Sequence, residues 1–243
     1  MVTKTDSPRT STPPAPMVRA LVFDLDSTVF FGRACMFELI RGQLKGKGID
    51  FTASSFEKYC AAIPVSHCAK GLEKMASKLN LSLEAEISAV NEQFAKLVES
   101  GKLKANAPVV SLLEHAAKDG VPMGALSFLP EPQARALLGR LGLEGKASLQ
   151  CITASARFTL SAWRAILHPF KLVDDPDHAV ALTSCQASAF AAIGAGMRCV
   201  TIPDEFTAHQ DLTGVDLVAD DPKELHYKTV MALLSPCGFR PKS

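Results

Sequence analysis

The sequence has 243 residues, of which 47% are hydrophobic and 21% charged, enough to bury one good-sized core and a small second module. A formal net charge of +1 with no basic stripe excludes a nucleic-acid footprint, and no apolar run reaches the roughly 18 to 20 residues that cross a bilayer. Seven cysteines, odd in number and never spaced Cys-x-x-Cys, argue against a disulfide framework or zinc knuckle and for a reducing, cytoplasmic setting.

Residues 1–17 are rich in Ser, Thr and Pro, ending in Pro13-Pro14-Ala15-Pro16, and are predicted to be a disordered leader without a hydrophobic face. A mitochondrial transit segment is the alternative, but Asp6 and the prolines work against the basic amphipathic helix it needs. Arg19 to Asp24 is the first apolar run that reads as a strand.

Residues 33–104 then break the pattern. They have no β-branched run but show helix-period segments at Phe56 to Ile63, Cys68 to Leu79 and Leu83 to Val98, which predicts an all-helical insertion. After it, helical segments alternate with short apolar runs. The helices are predicted at Pro108 to Lys118, Glu131 to Leu141, Leu160 to Leu167 and Gln186 to Gly194. The strands are predicted at Val121 to Ser127, Leu149 to Thr153, Ala179 to Thr183, Arg198 to Pro203 and Asp216 to Ala219. This rhythm predicts an α/β fold with a doubly wound, Rossmann-like parallel sheet formed by residues 18–32 and 105–243. Ligands of such sheets bind beyond the carboxyl ends of the strands, so the insertion is expected to act as a cap over the site.

The first strand delivers Asp24 and Asp26, separated by Leu25, and in extended geometry that spacing points both side chains the same way. Two adjoining carboxylates need a cation or a shared proton, and they suit metal-assisted phosphoryl transfer with one as nucleophile and the other as general acid and base. Strand-ending aspartates also serve simply to start turns.

The segment Leu21-Val22-Phe23-Asp24-Leu25-Asp26-Ser27-Thr28-Val29, followed by a helical insertion, resembles the first motif of the haloacid dehalogenase-like (HAD) hydrolases, in the phosphoglucomutase and phosphoglycolate phosphatase branch. The resemblance implies an aspartyl-phosphate on Asp24, acid-base work by Asp26, and Mg²⁺ held by Asp24 and the backbone carbonyl of Asp26. Ser127, ending the second strand, takes the place of the hydroxyl that binds phosphoryl oxygens, and Arg157 the place of the third-motif lysine, although the usual Gly-Lys-Pro stretch is missing. Lys171 is a poorer candidate for that place.

The fourth motif departs further, because Thr183, Ser184 and Cys185 stand where one or two metal-binding acids are expected. Mg²⁺ prefers anionic oxygens in octahedral geometry, so its binding is expected to be weak. Asp174, Asp175 and Asp177 precede the fourth strand and lie at the wrong end of the sheet, whereas Asp204 or Glu205 after the fifth strand are placed to reach across. Cys185 reads as a buried or turn cysteine, and only His67 and His209 among the histidines are placed to approach a ligand.

Two functions remain open on these residues. One is a phosphohydrolase of a small phosphorylated metabolite. The other is a non-catalytic HAD-fold protein serving as a binding or scaffold module with a protein partner. A metal-free dehalogenase is disfavoured by Asp26, which that reaction does not require.

Overall fold

The computed structural model describes residues 19–234; the leader predicted at residues 1–17, Cys237 and the last residues of the predicted core lie outside them. The six predicted strands are β1 (Ala20–Asp24), β2 (Met123–Ser127), β3 (Ala147–Cys151), β4 (Ala179–Thr183), β5 (Arg198–Thr201) and β6 (Leu217–Val218). They form one parallel sheet in the order β3-β2-β1-β4-β5-β6. The order reverses between β1 and β4, which makes the carboxyl ends of those two strands the crevice of the sheet.

Successive strand residues face opposite sides, and both faces here are covered. Leu21 and Phe23 of β1 pack with Leu112 and Leu113 of α5 (Ala107–Lys118), Leu137 of α6 (Glu131–Arg140) and Val230 of α9 (Tyr227–Ala232). Ala20 and Val22 pack on the other side with Trp163 of α7 (Leu160–Ala165) and Ala192 of α8 (Gln186–Gly194). The doubly wound α/β fold expected from the alternation is therefore the fold observed.

Between β1 and α5 the chain makes one long excursion through α1 (Gly32–Lys45), α2 (Ala53–Tyr59), α3 (Lys70–Leu79) and α4 (Glu84–Glu99). Its two ends meet at an antiparallel bridge between Phe30 and Ala105, reinforced by Phe31 N donating to Lys104 O at 2.9 Å and Asn106 N to Val29 O at 2.8 Å. Helix α1 has no counterpart among the segments picked out by periodicity. Gly42 lies inside it and Gly46 and Gly48 follow it, and glycine disfavours helix.

The excursion folds back over the carboxyl ends of the strands. Phe206, in the loop after β5, lies with its ring centroid 5.1 Å from that of Phe37 and 4.7 Å from that of Phe56, both in the cap. Ser66 of the cap donates its hydroxyl to Phe128 O at 2.8 Å. Among the described residues no helix is long and apolar enough to cross a membrane.

Candidate active site

At the end of β1 the chain does not stay extended. Residues Leu25–Val29 form a single π-helical turn, and Asp24 caps it by accepting from Asp26 N at 3.1 Å and Ser27 N at 3.2 Å. The extended-strand reason given for the pairing of Asp24 and Asp26 is thus corrected. A cap and its helical turn place them side by side, with strand alternation playing no part.

The second oxygen of Asp24 accepts from Ser27 Oγ at 2.5 Å. Asp26 accepts from Ser127 Oγ at 2.6 Å and from Phe128 N, also at 2.6 Å, which ties the turn to the end of β2. Ser127 is therefore brought into the site as Asp26's direct partner.

Both carboxylates are about 1% exposed, so their charges lie in a poorly solvated environment. Burial raises the pKa of Asp24 against the opposing effects of Ser27 and Arg33. Burial, then repulsion from Asp24, pushes Asp26 up to about 7 in spite of its two hydrogen bonds. A carboxyl group poised there can donate and recover a proton near neutral pH.

The cation of the site comes from an unexpected position. Arg33, on the first turn of α1, is 1% exposed, and the fully buried charged side chains among the described residues are Asp24, Asp26 and Arg33. Its Nη1 donates to Ser184 Oγ at 2.9 Å and pairs with Asp204 Oδ2 at 2.8 Å. Its Nε donates to Ala61 O at 3.2 Å and its Nη2 to Ser27 Oγ at 3.4 Å. Burial disfavours the charge of Arg33, but attraction to Asp204 and Asp24 outweighs it and its pKa is raised.

Gly32 makes this approach possible, because a Cβ there would lie 2.3 Å from the carbonyl oxygen of Asp26 and 2.8 Å from Val65. The sequence did carry a signal for Arg33. It is a lone charge in the otherwise apolar stretch Val29 to Phe37, where a cation must be buried or paired.

Arg157, placed by the sequence in the third-motif position, is exposed in the loop after β3, and none of the hydrogen bonds to Asp24 or Asp26 comes from it. Lys171 sits after a short 3₁₀ turn in left-handed geometry, apart from the site. Thr183 turns its hydroxyl sideways to Thr201 Oγ1 at 2.8 Å, so of the two fourth-motif residues only Ser184 reaches the Asp24 network, through Ser27 at 3.3 Å. Asp204 does reach across from β5, as the chain order allowed, but its carboxylate meets Arg33.

Cys185 is buried with its thiol pKa raised by burial, the opposite of an activated nucleophile. His67 lies on the cap with its Nδ1 2.9 Å from Ser66 Oγ, and His209 pairs loosely with Glu57 at 3.9 Å.

Among the described residues no group of three or more His, Cys, Asp or Glu is placed to hold a metal. The donors do not fit Mg²⁺ either. A neutral hydroxyl, Ser184 Oγ, stands in the fourth-motif place, and it already accepts from a guanidinium that would repel a dication.

No protein-family model matches the chain. Protein CbbY of Cereibacter sphaeroides is 23% identical over 234 residues, 90% of this chain and 99% of that protein. The crystal structure of CbbY from Rhodobacter sphaeroides in complex with phosphate superposes with a TM-score of 0.66 at 19% identity, over 86% of this chain and 96% of that one. A second CbbY structure holds xylulose-(1,5)bisphosphate. A conserved haloacid dehalogenase-like protein of Agrobacterium tumefaciens matches with a TM-score of 0.70 at 15% identity, over 85% of this chain and 95% of that one.

The fold is that of the haloacid dehalogenase-like superfamily.

β-Phosphoglucomutase of Clostridium difficile shares this HAD fold with a TM-score of 0.68 at 18% identity, over 90% of this chain and 97% of that one. The agreement spans the cap as well as the sheet. Within that frame, Thr183, Ser184 and Arg33 are where this HAD-fold chain parts from the metal-binding pattern that its first motif implies.

Proposed function

We propose that the chain is a HAD-type phosphohydrolase of a small phosphorylated metabolite. The observation that carries this reading is the buried pair Asp24 and Asp26, with Ser127 bonded to Asp26 and Asp26 held near a pKa of 7. Asp24 Oδ attacks phosphorus as the ester P–O bond breaks, and the proton on Asp26 passes to the leaving oxygen. Water then attacks the phosphorus of the acyl-phosphate, giving its proton to Asp26, and the Asp24 carboxylate is released along with inorganic phosphate. Ser127, beside Asp26, is the hydroxyl assigned to the phosphoryl oxygens in this reading.

Arg157 is assigned to substrate binding from the cleft and not by contact with Asp24 or Asp26. With Lys70, Glu73 and Lys74 of the cap it lines a 460 Å³ cleft at the seam between cap and core, where three cations against one acid leave a positive balance that favours the approach of an anionic substrate.

A specific observation favours a second reading, a phosphate-binding module without turnover. Both oxygens of Asp24 are engaged by donors of its own turn, Ser27 Oγ most closely, and a nucleophile must shed such a bond to attack.

Hydrolysis of p-nitrophenyl phosphate and a panel of sugar phosphates, wild type beside Asp24→Asn, separates the two. Turnover abolished by Asp24→Asn supports the hydrolase. No turnover by wild type overturns it in favour of the binding module, and turnover that survives Asp24→Asn overturns the assignment of the nucleophile.

A further inference from the structure

Resting on the phosphohydrolase reading, we propose that Arg33 serves as a fixed internal cation in place of Mg²⁺, so that the site binds a phosphoryl group without a divalent metal. Ser184 occupies the sequence position of a metal-binding acid, and its hydroxyl accepts from Arg33 Nη1 at 2.9 Å. The same guanidinium reaches Ser27 Oγ, and Ser27 in turn donates to Asp24. Arg33 therefore sits between the fourth-motif position and the nucleophile, which is where the charge of a metal would be needed.

Donor accounting points the same way. A guanidinium has five N–H groups. Nε is used by Ala61 O and the two on Nη1 by Ser184 and Asp204, while Nη2 makes one long contact of 3.4 Å. Among the described residues one Nη2 hydrogen has no acceptor and the other has only the long contact to Ser27 Oγ, the hydroxyl that donates to Asp24. An open N–H on a cation held in place by its other bonds can donate a charge-assisted hydrogen bond to a phosphoryl oxygen.

Asp204 completes the device. In a metal site its carboxylate would be a ligand, but here it orients Arg33 and is itself fixed by Phe206 N at 3.0 Å and Thr207 Oγ1 at 3.0 Å. The acceptor that holds the charge in place thus comes from the core, whereas the charge comes from the cap.

The test is calorimetric titration of the full chain with inorganic phosphate, once in EDTA and once in millimolar MgCl₂. Wild-type affinity is expected to agree within about twofold between the two conditions, and Arg33→Gln to weaken it about tenfold or more in both, as loss of a buried charged contact would. A Mg²⁺-dependent gain of about tenfold in the wild type would overturn the proposal. So would an Arg33→Gln variant that binds as wild type does, or the absence of phosphate binding in either condition.

Removing Arg33 leaves Asp204 without its partner, so Arg33→Gln is also combined with Asp204→Asn to keep a foldable variant. Loss of phosphate binding in the folded double variant, checked by its thermal melt, supports the role, and retained binding overturns it. The p-nitrophenyl phosphate assay separates the two readings. Metal-independent phosphate binding without turnover sinks the hydrolase and keeps the Arg33 cation, and Mg²⁺-dependent turnover keeps the hydrolase and sinks the Arg33 cation.

Discussion

Asp26 holds its proton to a pH far above that of an exposed carboxylate, and this has a consequence for stability. Its folded pKa of about 7 lies above its ordinary value of 3.8, so between those values the folded chain binds more protons than the unfolded chain. Stability from this group is full below the unfolded value and is lost as pH rises through about 7, with a ceiling of roughly 4 kcal/mol from about three pKa units. Asp26→Asn abolishes the charge while keeping an amide for Ser127 and Phe128. The variant is expected to melt several degrees above wild type at pH 8 and to lose that advantage toward pH 5, as thermal melts across this range would show; a constant offset would count against the assignment. The carboxylates were legible in the sequence because an apolar strand ending in Asp-x-Asp is a local pattern. The cation was legible only in part, because Arg33 stands out as a lone charge in an apolar stretch but the order of residues does not tell that the cap folds it toward Asp24. Arg157 lines the cleft at the seam, whereas Arg33 is the arginine that bonds Ser184 and Ser27 beside Asp24.

Helix α1 depends on close approach at its first residue. Gly32→Ala would push a methyl group to 2.3 Å from the Asp26 carbonyl, a backbone atom that cannot swing away. We expect a loss of about 1 to 3 kcal/mol by urea denaturation, together with weaker phosphate binding as Arg33 is displaced from Ser184. The same elements explain what the sequence revealed of the fold. The strands were readable because parallel strands covered on both faces are continuous apolar runs, as Ala179 to Thr183 and Arg198 to Thr201 show. Helix α1, with its glycines, and the six-residue α9 gave no sustained period to read.

At the scale of the whole molecule, one aromatic residue of the core is committed to the cap. Phe206 is 2% exposed and meets Phe37 and Phe56 across the seam, two residues after the aspartate that orients Arg33. Truncating it to alanine should cost about 3 to 5 kcal/mol, as for other buried aromatic side chains, and should raise amide hydrogen exchange in α1 and α2 more than in β1 or β4. Uniform exchange across cap and sheet would show that Phe206 supports the fold as a whole. The clasp also sets the terms on which any ligand is received. Asp24 is about 1% exposed, so a phosphoryl group reaches it only as the cap and core part, and affinity is reduced by the fraction of molecules in which they have. The Phe206 clasp therefore has two opposed effects, since it holds Arg33 beside Asp24 and also bars the way to it.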